Sequence, residues 1–158
     1  MTQVKICGIR TITAARIAIK AGADYLGFNF VPTSERYVNP NRAKQIIDEV
    51  GCDIYTVGVF QNAPLQQVVG IASFLPLDFV QLHGNEPPSY CQKIETNMIK
   101  VFTLPKDFDV EETITKMKKY SQCVNYFMVD KKKISKSRKI DFKKCRKIAN
   151  TFPLVFAG

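Results

Sequence analysis

Residues 54–82, IYTVGVFQNAPLQQVVGIASFLPLDFVQL, carry the reading of the fold. The run 54–60 (IYTVGVF) is β-branched and aromatic, 78–82 (DFVQL) is largely apolar, and each has the length of a buried strand. Between them, 64–74 sets its apolar residues at helical spacing. Strand, helix and strand in so short a stretch predict a parallel pair joined by a crossover helix.

The same unit recurs on both sides. Strand-like runs stand at 4–7 (VKIC), 24–30 (DYLGFNF), 98–102 (MIKVF), 125–129 (NYFMV) and 153–157 (PLVFA), with helical patterns near 12–21, 40–50, 87–96, 109–121 and 141–150. Thr11 is placed to cap the first helix, Asn39-Pro40 opens the second, and Gly51 stops it. Strict alternation of this kind means a parallel α/β sheet, either doubly wound or closed as a barrel. No GxGxxG follows the first strand, which speaks against the dinucleotide-binding form of the open sheet. Polar or reactive residues gather at or just beyond the strand ends instead: Cys7, Arg36, Gln81 with His83, and Asp130. A (β/α)8 TIM barrel builds its site from such positions. The expectation is one α/β barrel domain over 1–158, with seven strands and six helices, lacking a last helix-strand-helix portion.

Composition narrows the function classes. At 46% hydrophobic and 23% charged residues, the chain has the make-up of a soluble globular domain. No apolar run reaches bilayer length, and the N-terminal one is interrupted by Lys5 and Arg10, unlike a signal peptide. The five cysteines, at 7, 52, 91, 123 and 145, are scattered and form no CxxC pair. They fit a reducing cytoplasm better than a disulfide framework or a structural zinc site, and the single histidine, His83, weakens any metal reading further. The net charge of +9 is local, because residues 131–147 hold ten Lys or Arg against Asp141 alone, and the remainder is balanced. Only Phe142 interleaves with that patch, so it lacks a stacking platform for single-stranded nucleic acid. A solvated loop and helix face, or a rim that attracts phosphate, suits it better.

Five segments together, VKICGIR (4–10), AGADYLGFNFVPTSERYV (21–38), VGVFQN (57–62), VQLHGNEP (80–87) and the strand ending Val129-Asp130, resemble the phosphoribosylanthranilate isomerase family of tryptophan biosynthesis. They come in that family's order and spacing. The resemblance implies a (β/α)8 barrel and a cofactor-free, metal-free Amadori rearrangement. This is an intramolecular oxidation–reduction that turns N-(5-phosphoribosyl)anthranilate into 1-(2-carboxyphenylamino)-1-deoxyribulose 5-phosphate.

Such a reaction needs an acid to open the sugar ring and a base to take the C2 proton. By resemblance Cys7 is the base and Asp130 the acid, while Arg36 binds the anthranilate carboxylate with a planar two-pronged donor. Gln81 and His83 fall in the QLHG motif as supporting substrate contacts. Lys5 and Arg10 are charges that could favour a thiolate at Cys7, although alternation along the strand leaves Lys5 open. After Asp130 the family carries a glycine-rich loop, whereas KKKISKSRKIDF (131–142) has no glycine and offers lysine charges in place of amides. LVFAG (154–158) resembles the seventh strand and the first glycine of a Gly-Gly turn, which makes Gly158 a phosphate-site residue. A homo-oligomer covering the open barrel edge is the partner expected. The competing reading is an inactive remnant of the family that serves as a structural or anion-binding protein.

Overall fold

Strand and helix alternate as the pattern predicts. The computed structural model describes residues 2–51, 53–131 and 141–157. Cys52, most of the lysine-rich run (132–140) and Gly158 lie outside the described residues. The chain divides into two compact units, Met1–Asn85 and Glu86–Gly158.

The first unit contains β1 (Lys5–Cys7), α1 (Ile12–Lys20), β2 (Tyr25–Asn29), α2 (Pro40–Val50), β3 (Tyr55–Phe60), α3 (Leu65–Phe74) and β4 (Phe79–Leu82). Its strands pair in parallel and in sequence order. Register partners in a parallel ladder point to the same face, so the pairing stacks side chains in layers. Lys5, Tyr25 and Tyr55 form one layer, Cys7, Gly27, Val57 and Phe79 the next, and Asn29, Val59 and Gln81 the third. Between β2 and β4 the opposite face is dry, with Leu26, Phe28 and Val80 fully buried. The α1, α2 and α3 helices bury Ala15, Ala18, Ala43, Ile46, Ile47 and Val68.

The second unit contains α4 (Pro88–Cys91), β5 (Asn97–Leu104), α5 (Val110–Lys118), β6 (Tyr126–Lys131), α6 (Phe142–Ala149) and β7 (Leu154–Phe156). Its three strands are again parallel and in order. One core cluster joins Phe108, Met117, Phe127, Cys145, Ile148 and Phe152. With seven strands and six helices among the described residues, the chain has the α/β architecture of the (β/α)8-barrel type.

The helix starts obey local chemistry. Thr11 Oγ1 accepts from Ala14 N at 3.1 Å, and Asn39 Oδ1 accepts from Asn41 N at 2.9 Å ahead of Pro40. Gly51 ends α2 at φ 80°, in the left-handed region. Several bounds shift by a few residues, with β5 running on to Leu104 and α5 stopping at Lys118, and two changes stand out. The α4 helix is a single turn rather than 87–96, because beyond Gln92 the amides bond three residues back, Lys93 to Tyr90 and Ile94 to Cys91. The β6 strand runs on through Asp130 and Lys131, held by pairing to Thr103 and Leu104. No helix among the described residues is long and apolar enough to cross a membrane.

Candidate active site

In the first unit the site begins with a close approach of backbone. Cys7 ends β1 opposite Gly27 of β2. A Cβ added at Gly27 would stand 3.0 Å from Cys7 Sγ, 3.1 Å from Cys7 Cα and 3.2 Å from Lys5 Nζ. The space that a side chain would take is therefore shared by the thiol and the ammonium. Glycine inside a strand commonly marks such an approach. Lys5 and Cys7 are two residues apart and lie on one face, which settles the question that alternation raised.

The chain then bends around the same spot. Gly8 and Ile9 both donate their N–H to Gly27 O, at 2.9 and 3.0 Å, with Gly8 at φ 90°. A Cβ on Gly8 would meet Arg36 Cδ at 2.6 Å. Gly8 thus makes room for the Arg36 stem beside Cys7. Arg36 itself rides on a loop pinned from several directions. Asn29 Oδ1 accepts from Val31 N at 2.9 Å and Asn29 Nδ2 donates to Ser34 Oγ at 3.1 Å. Ser34 Oγ in turn accepts from Arg36 N at 3.2 Å, and Arg10 Nη1 donates to Glu35 O at 2.8 Å. Among the described residues nothing hydrogen-bonds or ion-pairs with the exposed Arg36 guanidinium, so its fork is available to a planar anion.

Gln81 lies one layer beyond Cys7, aligned with Val59 and Asn29. It is buried, at 3% exposure, and among the described residues its Oε1 has no hydrogen-bond partner. A buried carbonyl left unpaired costs about 1–3 kcal/mol, which marks this atom as an acceptor suited to a ligand hydroxyl or amine. His83 follows β4 directly, half-buried, with its N–H donating to Phe60 O at 2.8 Å. Asn62, at φ 50°, accepts from Asn85 N at 2.7 Å and ties the turn after β3 to the turn after β4.

Asp130 belongs to the second unit. It is partly buried on β6, in register with Thr103, and Oδ1 accepts from Lys131 N at 2.7 Å. Asp141 caps α6 by accepting from Lys143 N and Lys144 N, at 3.0 and 3.2 Å. The remaining thiols here are held as thiols. Burial pushes Cys91 up to about 12, and it raises Cys123 and Cys145 as well. Cys91 and Cys145 are fully buried packing residues, unlike the half-buried Cys7.

Of the residues singled out from sequence, Cys7, Arg36, Gln81 and His83 fall at the C-terminal ends of first-unit strands or in the loops that follow. Asp130 lies near the C-terminal end of β6 in the second unit, and Gly158 lies outside the described residues. Sequence reading missed Gly27 and Asn29. The signal for Gly27 was a glycine interrupting DYLGFNF, and for Asn29 a polar residue closing an apolar strand.

A family model described as N-(5'-phosphoribosyl)anthranilate isomerase matches residues 4–158. A curated enzyme of that description from Citrifermentans bemidjiense is 47% identical over 102 residues, 65% of this chain and 50% of its own length. The chain spans about half the length of the curated relatives it matches. A crystal structure of phosphoribosyl anthranilate isomerase from Thermotoga maritima superposes with TM-score 0.88 at 32% identity, covering 100% of this chain and 77% of that one. Another crystal structure of such an isomerase, in complex with reduced 1-(o-carboxyphenylamino)-1-deoxyribulose 5-phosphate, gives TM-score 0.83 at 31% identity, over 99% and 75% of the two chains.

Proposed function

The chain belongs to the N-(5'-phosphoribosyl)anthranilate isomerase family, and from that premise we propose that it catalyses the family's Amadori rearrangement. The substrate is an aldosylamine that carries an aromatic carboxylate at one end and a phosphate at the other. Asp130, protonated, gives its proton to the ring oxygen, and the ring opens to an iminium. Cys7, as thiolate, removes the C2 proton, and the resulting enolamine tautomerises to the aminoketose. The proton balance closes, and no outside oxidant or cofactor enters.

The remaining residues bind and orient. Arg36 takes the anthranilate carboxylate in its fork. Gln81 Oε1 accepts from a sugar hydroxyl, which relieves its unpaired burial. His83 lines the mouth of the site, and Gly158 with the lysine-rich run belongs to the phosphate end. The observation that carries the reading is the Arg36 stem packed over Gly8, next to a cysteine at a strand end. On the same reading the chain works as one barrel domain in the cytoplasm, in tryptophan synthesis, as a homo-oligomer.

The test follows the loss of substrate fluorescence with freshly made N-(5'-phosphoribosyl)anthranilate. Cys7→Ala and Asp130→Asn are each expected to lower kcat by about 10²- to 10⁴-fold, the contribution of one positioned acid or base. Arg36→Met should act mainly on KM. Full turnover in Cys7→Ala would refute the mechanism. Absence of turnover in the folded unmodified chain would refute the function.

A further inference from the structure

We infer that Lys5 is a positioning residue for Cys7, supplying the positive charge against which the thiol is held as a nucleophilic, basic thiolate. The inference rests on the isomerase reading for its role in turnover, but its physical content is a statement about two side chains. Cys7 Sγ and Lys5 Nζ stand 3.0 and 3.2 Å from one point, the place where Gly27 lacks a side chain. Both lie on the same face of β1 and point across the same register partner.

The surroundings leave the ammonium little else to do. Lys5 is half-buried, and among the described residues no hydrogen bond or ion pair engages it. A lysine serving only solubility would keep its head in water, away from the inner face of a sheet. Two further described residues of the first unit border this stretch. From β2 comes Gly27, without a side chain, and from the loop after β2 comes Arg36, whose stem rests on Gly8. Arg10 turns away to Glu35 O. Lys5 is thus the cation on the thiol's own strand, and a lysine close to a cysteine favours the thiolate. Ile6, between the two, points to the opposite face and is 41% exposed. The motif therefore reads as Lys-x-Cys across a glycine, with the alternation of the strand bringing charge and sulfur together.

Alkylation of Cys7 by iodoacetamide, followed by peptide mass spectrometry as a function of pH, reads this proximity without requiring turnover. Cys7 in the unmodified chain should be alkylated faster at neutral pH than a free cysteine peptide. Lys5→Met should slow it by about tenfold and move its pH dependence upward. Lys5→Arg should restore most of the rate, and Lys5→Gln replaces the methionine variant should the latter fail to fold. If isomerase activity is present, the pH profile of kcat/KM should move in the same direction in Lys5→Met. A merely structural lysine would change the unfolding midpoint and leave both pH profiles in place. Equal alkylation profiles in folded Lys5→Met and unmodified protein would overturn the inference, as would an unmodified Cys7 no faster than the free peptide. A lysine-dependent alkylation in a chain without turnover would sink the isomerase reading and leave the influence of Lys5 on Cys7 standing.

Discussion

Two glycines, at 8 and 27, do different work around one sulfur, and substitution separates them. Gly8 sits at φ 90° with Arg36 Cδ 2.6 Å from where a Cβ would be. Gly8→Ala adds a backbone strain of about 1–3 kcal/mol and displaces the Arg36 stem, whose Cγ and Cβ also stand at 3.2 and 3.3 Å. The variant should fold less stably in urea, and its KM should rise more than its kcat falls. At Gly27 a Cβ would press on the Cys7 backbone at 3.1 Å as well as on Sγ at 3.0 Å. Backbone in a paired strand cannot step aside, so Gly27→Ala should cost about 1–3 kcal/mol by overpacking. Because it moves the thiol itself, its kcat should fall more than its KM rises. Steady-state kinetics of both variants would decide the matter, and identical kcat and KM patterns would contradict the assignment.

At the scale of elements, the α6 helix shows how one residue commits several. Asp141 accepts from two amides of the first turn, and the helix it starts carries Cys145 and Ile148 into the second-unit core. Removal of that cap in Asp141→Ala should destabilise the protein by about 0.5–2 kcal/mol, read as a lower urea midpoint. An unchanged midpoint would show that packing alone sets the helix. Caps of this kind were legible in the sequence, as were the strands, because period and punctuation are local. Whether Lys5 faces Cys7 stayed open in the sequence, and the two-residue spacing on β1 puts both on one face. The single turn of α4 was not legible, because i to i+3 bonding after Gln92 leaves no mark on hydrophobic spacing. Nor was the packing of the Arg36 stem over Gly8, a contact set by loop geometry and by Asn29, which no periodicity reports. The unpaired Gln81 Oε1 belongs with these, since an unmet partner is a property of three-dimensional surroundings.

At the scale of the whole molecule, the interior of the second unit ties stability to high pH. The second unit buries the Lys100–Glu86 ion pair at 2.8 Å, and Tyr120 donates its hydroxyl to Glu86 O at 3.0 Å. Around it, burial first and the neighbouring charge of Glu86 second push Tyr90 up to about 12. Cys91 also reaches about 12, again chiefly by burial, and Tyr120, Cys123 and Cys145 are raised for the same first reason. An unfolded cysteine gives up its proton near 9.0, whereas the folded Cys91 keeps it to about 12. Between those values the unfolded chain binds fewer protons than the folded one, so stability falls as pH rises. The contribution is whole below about 9 and is lost progressively toward 12. These five groups all lie in Glu86–Gly158, so the second unit should loosen in alkali. Urea midpoints followed by circular dichroism should be level up to pH 9 and then decline, and Cys91→Ala, which removes one of the proton-linked groups, should flatten that decline. A midpoint that stays level between pH 9 and 12 would show that the buried thiols and phenols are hydrated in the folded state, and that the second unit is not dry around its ion pair.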